Sequence, residues 1–72
     1  MQELRDVQIA GETIRLAQLL KLAGIVQTGG ESKALLAEGA VKVNGELEAR
    51  RGRQLRAGDM VEAAGESVRV TA

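Results

Sequence analysis

The chain has 72 residues, ten basic and ten acidic, and no Cys, His, Pro, Phe, Tyr or Trp. That length makes one small domain over residues 1–72, and the missing Cys and His exclude disulfides, thiolate chemistry, an imidazole base and the commonest metal ligands. The missing aromatic rings exclude the stacking platforms on which single-stranded nucleic acid is usually held.

The first predicted element is a strand, "LRDVQI" at 4–9, with Val7 and Ile9 on one face. "AGE" at 10–12 is a turn. "RLAQLLKLAG" at 15–24 is a helix, since Leu16, Leu19, Leu20 and Ala23 fall at i, i+3, i+4 and i+7. Gly24 stops it, Gln18 and Lys21 fall off the apolar stripe, and Ile25 and Val26 return to the core. "TGGESKALLAEG" at 28–39 is a second helix, opened by Thr28 and Glu31 at capping-box spacing and closed by Gly39. Leu35 and Leu36 supply its apolar contacts. "AVKVNGELEA" at 40–49 is a strand, turn and strand around Asn44-Gly45, with Val41, Val43 and Leu47 inward and Lys42 outward. "RAGD" at 56–59 is a turn in which Asp59 bonds a backbone N–H. "MVEA" at 60–63 and "SVRVT" at 67–71 form a last strand pair. The expected fold class is α+β, two short helices packed on a small sheet, antiparallel or mixed.

Charge is unevenly placed along this neutral chain. Residues 1–32 hold three bases against four acids, 33–56 six against three, and 57–72 one against three. "ARRGRQLRAGD" at 49–59 puts Arg50, Arg51, Arg53 and Arg56 into seven positions without an acid. These guanidiniums lie within about one Debye length, ~8 Å, and repel one another unless something anionic gathers them. Glu46 and Glu48 across the hairpin are the candidate internal partners, but two carboxylates cannot satisfy four guanidinium forks, which also fit phosphate. "TGGESK" at 28–33 offers a second phosphate seat in the Gly29 and Gly30 amides with Lys33, or simply a tight link between helices. Asn44 is a turn residue first and a sugar or base contact second. Hydroxyls lack a base and the carboxylates lack a shared apolar setting, so the chain is not expected to be an enzyme. No stretch reaches a membrane span of ~20 apolar residues and Met1 to Asp6 is polar, which suggests a soluble cytoplasmic protein.

"RLAQLLKLAGIVQTGGESKALLAEGAVKVNG" followed by "RRGRQLRAGD" resembles the RNA-binding domain named after the fourth protein of the small ribosomal subunit. The likeness covers nearly the whole chain and is nearest to the small, free-standing bacterial members of the YbcJ type. It implies the αL motif, two short helices on a highly bent sheet, and binding of structured RNA without catalysis. It places RNA over the second helix and following hairpin: Lys33, Lys42, Asn44, Arg50, Arg51 and Arg53, with Arg15 ahead of the first helix, Lys21 in "LLK", and Arg56 less firmly in the basic turn. Ser32 departs from the Ala that many relatives carry, and its hydroxyl faces either the first helix or the RNA. The expectation is a ribosome-associated monomer that binds ribosomal or transfer RNA, or a precursor particle, with ribosome assembly, translation and RNA decay all open as its setting. It involves no cofactor, metal, membrane or small-molecule substrate. The rival is a protein-interaction adaptor whose arginines meet an acidic partner.

Overall fold

Apolar residues at two periods build the two layers of a computed structural model that describes residues 4–72; Met1, at the head of the polar opening, lies outside them. The strands are β1 Leu4–Gln8, β2 Ile14–Arg15, β3 Val41–Val43, β4 Glu46–Leu47, β5 Gln54–Leu55, β6 Met60–Ala63 and β7 Glu66–Thr71. The helices are α1 Leu16–Leu22 and α2 Gly29–Ala37. Five strands form one mixed sheet in the order β1-β7-β6-β3-β4, with β1 parallel to β7 and the other neighbours antiparallel. β2 and β5 form a separate two-stranded ladder.

Alternation along the strands buries Val7, Val41, Val43, Val61, Val68 and Val70 on one sheet face. The α1 stripe puts Leu16, Leu19 and Leu20 onto that face, and Leu36 joins from α2. Burying each such side chain contributes about 1.5–3 kcal/mol, which holds two helices too short to persist alone. Thr28 caps α2 as its sequence predicts, its Oγ1 accepting from the Glu31 N–H at 3.1 Å. Ser32 is buried and donates its hydroxyl to the Ala17 carbonyl at 3.4 Å, so it faces the first helix.

The first helix begins at Leu16, the first residue of its apolar stripe and one residue after the start expected for the segment 15–24. Arg15 is extended, at φ −75° and ψ 146°, because it pairs with Gln54 in the β2–β5 ladder. That ladder has only two pairs, too few for an alternating pattern to show.

Leu47 corrects an expectation, since it is 67% exposed instead of inward. Asn44 and Gly45, at φ 51° and 86°, form a two-residue turn, and such a turn fixes the register of its hairpin. Val43 therefore sits opposite Glu46, and Lys42 opposite Leu47. Residues directly opposite share a face, so Leu47 shares the outer face with Lys42. The inward place beyond it falls to Glu48, whose N–H bonds the Val41 carbonyl and which is only 8% exposed.

Candidate nucleic-acid interface

Burying a carboxylate costs free energy unless donors surround it, and Glu48 is surrounded. Its Oε2 accepts from the backbone N–H of Ala49 at 3.0 Å and of Arg50 at 3.1 Å, and from Arg50 Nε at 3.2 Å. Its Oε1 accepts from Arg50 Nη2 and Arg53 Nη1, both at 3.1 Å. The Arg50 side chain, Arg50's N–H and the Arg53 side chain together outweigh desolvation and hold the Glu48 carboxyl well below its usual range, at about 2. The same bonds push the Arg50 guanidinium upward. Glu48 is thus always ionised near neutrality and folds the arginine loop around itself.

The other side of that loop is tied to the first helix. The Arg53 carbonyl accepts from the Leu16 N–H at 2.8 Å, and the Arg51 carbonyl from the Ala17 N–H at 3.0 Å. These are donors that a helix start leaves without intrahelical partners. With Ala17's own carbonyl held by Ser32, the loop, α1 and α2 meet at one corner. There a groove of about 430 Å³ runs between α2 and the loop, lined by Lys33, Leu36, Ala37, Ala49, Arg50, Arg51 and Gly52.

The groove brings together Lys33, Arg50 and Arg51, and Glu48 holds Arg53 beside Arg50; Arg15 is exposed and stands in the small ladder opposite Gln54, just ahead of Leu16. Among the described residues, neither Lys33, Arg51 nor Arg15 makes an ion pair. Arg50 keeps a side chain 77% exposed while bound to Glu48. Lys33, Arg50, Arg51 and Arg53 thus stand around the groove and the buried Glu48, two of them paired with its carboxylate.

Other candidates lie apart from the groove. Lys21 is exposed in the last turn of α1, four residues or ~6 Å along the axis from Ala17. Arg56 is exposed on the turn before β6. Lys42 alternates with the buried Val41 and Val43, so it points from the outer face of the sheet. Asn44 has its amide engaged: Nδ2 donates to Asp59 Oδ1 at 3.0 Å, and Oδ1 accepts from the Met60 N–H at 2.9 Å. Asp59 Oδ2 accepts the Arg56 N–H at 2.8 Å and so closes the turn, as its sequence suggests. Partial burial raises Asp59, but the Arg56 N–H, the Asn44 amide and the charges of Arg53 and Arg56 bring it below the ordinary carboxylate range. Of the two carboxylates named as internal partners for the arginines, Glu48 takes Arg50 and Arg53, while Glu46 makes no ion pair among the described residues; the burial of Glu48 and the apolar groove are the features that sequence reasoning missed. Hairpin register carried a signal for the first.

Comparison with known proteins places this geometry. Residues 7–71 match the S4 domain family. The chain belongs to that family. It is 49% identical over 59 residues to RlbA of Bacillus subtilis, named a probable ribosome maturation protein, covering 82% of this chain and 83% of that one. It is 44% identical over 59 residues to YbcJ of Escherichia coli, covering 82% and 84%. The solution structure of YbcJ, described as having an αL motif involved in RNA binding, superposes with a TM-score of 0.74 at 37% identity, covering 100% of this chain and 92% of that one. Two helices on a bent mixed sheet are the αL arrangement of that S4 relative.

Proposed function

We propose that this S4 domain is a non-catalytic module that docks on folded RNA, ribosomal or transfer RNA or a precursor particle, as a monomer in the cytoplasm. The cluster of Lys33, Arg50, Arg51 and Arg53 at the groove and around the buried Glu48 carries the reading, and Arg15 ahead of the first helix is assigned to the same contact. The family and the names of RlbA and YbcJ support it, and the first of those names favours a ribosomal target. Guanidinium forks bond phosphate oxygens in pairs and set the register of the protein on the helix. With no aromatic ring in the chain, backbone geometry dominates recognition. Lys21 and Arg56 extend the contact at its margins, while Lys42 and Asn44 meet RNA only if it wraps round to the outer face.

Fluorescence titration of a structured RNA across a salt series tests this. Five phosphate contacts give a log–log slope of about −3.5 to −4.5. Arg51→Ala weakens binding alike across RNA sequences and flattens the slope by about one. If Arg51→Ala binds as tightly as the parent at low salt, the site is elsewhere. If RNA binds no better than any polyanion of equal charge while an acidic protein binds tightly, the adaptor reading replaces this one.

A further inference from the structure

The groove between α2 and the arginine loop is poorly made for phosphate alone. Its apolar lining is Leu36, Ala37 and Ala49, whose side chains offer no hydrogen-bond donor. Its charged lining is Lys33, Arg50 and Arg51, and among the described residues no carboxylate lines it. Apolar surface beside three cations complements a ligand that is flat and apolar at one end and anionic at the other. Arg50 adds a surface of the right kind. Glu48 grips it at two points, Nε to Oε2 and Nη2 to Oε1, which fixes the plane of its guanidinium while the side chain stays largely exposed. A fixed guanidinium plane stacks on aromatic faces and stands in for the rings this chain lacks.

We infer that the groove receives one unstacked base of the RNA, laid against the Arg50 plane over Leu36, Ala37 and Ala49, with Lys33 and Arg51 on its flanking phosphates. This rests on the RNA-binding reading and goes beyond it, because it makes the preferred target a helix interrupted by an unpaired nucleotide. Every base has a face to stack, so the preference is for an extruded nucleotide and not for one sequence.

Three RNA hairpins test it: a continuous stem, the same stem with one bulged nucleotide, and that bulge made abasic. The parent should bind the bulged stem about tenfold tighter than the other two. Arg50→Lys keeps the charge and loses the plane. It should weaken binding to all three hairpins, because Arg50 belongs to the cationic corner and Lys cannot keep the two-point grip on Glu48, and its preference for the bulged stem over the continuous one should fall below about twofold. Ala37→Leu, a good helix former that fills the groove and leaves every cation in place, should lose the same preference while binding the continuous stem within about twofold of the parent and with the same salt slope. An abasic bulge bound as tightly as the complete one shows that bent shape is read and overturns the inference. Equal binding of all three hairpins, with a steep salt slope, also overturns it and leaves RNA docking standing. Absence of binding to any hairpin removes the RNA reading itself.

Discussion

Glu48 is an acid inside a surface that gathers bases, and simple charge counting makes it an obstacle to anions. Its bonds say otherwise. It holds the N–H groups of Ala49 and Arg50 and the guanidiniums of Arg50 and Arg53, so without it the loop that lines the groove keeps its backbone bonds to α1 but loses what fixes those two side chains. Glu48→Gln raises the net charge by one, yet it should weaken RNA binding several-fold in a low-salt titration, because two arginines must then be ordered on binding. Tighter binding would show that counting is right. The pH dependence has a definite sign. The folded carboxyl sits at about 2 against an ordinary 4.5, so its stabilising contribution is present above 4.5 and is lost as pH falls from there toward 2. In thermal unfolding, Glu48→Gln should melt below the parent at pH 7, and the gap should close by about pH 2. A gap unchanged across that window would mean that the carboxylate charge is not what holds the loop.

At the scale of elements, the hairpin turn is fastened to the turn before β6 by Asn44. Its side chain bonds both Asp59 and the Met60 N–H, and its backbone is left-handed at φ 51°. Asn44→Ala loses two exposed hydrogen bonds, about 1 kcal/mol each, and adds about 1 kcal/mol of backbone strain. Urea denaturation should show a loss of about 2–3 kcal/mol, of which Asn44→Gly recovers the backbone share. Equal losses in both variants would assign the whole effect to the side chain. The same hairpin marks how far the sequence could be read. The two helices were legible, because three apolar stripe positions on α1 with Ala23 at its C-cap, and the Thr28 cap on α2, are local signals. The register of β3 and β4 was legible in principle: a two-residue turn puts Val43 against Glu46, Leu47 on the outside and Glu48 within. Inward hydrophobicity suggested the opposite for Leu47, and turn geometry won. The β2–β5 ladder and the capping of α1 by the Arg51 and Arg53 carbonyls were not legible, since both join segments distant in the chain through backbone atoms. The groove lining was hidden likewise, because Ala37 and Ala49 become neighbours only after folding.

For the molecule as a whole, one small core must both hold the fold and hold the cationic corner in place. Leu55 links the two tasks. It is wholly buried, pairs with Ile14 across the small ladder, and lies two residues beyond Arg53. Leu55→Ala should cost about 2–5 kcal/mol, against a total of about 3–5 kcal/mol for a core of this size. The variant should therefore be substantially unfolded at 25 °C by circular dichroism. A ligand that binds only the folded chain restores it by mass action, by about 2.7 kcal/mol at a hundred times its dissociation constant. Structured RNA at that excess should bring back helical signal and a cooperative melt. Arg51 separates the two tasks, since its guanidinium has no ion-pair partner among the described residues, and Arg51→Ala should change stability by no more than about 0.5 kcal/mol. Combined with Leu55→Ala, it should leave the free protein as unfolded as before and demand more RNA for the same recovery. Recovery that is equal with and without Arg51 would place the RNA on another face of the fold, whatever the affinity.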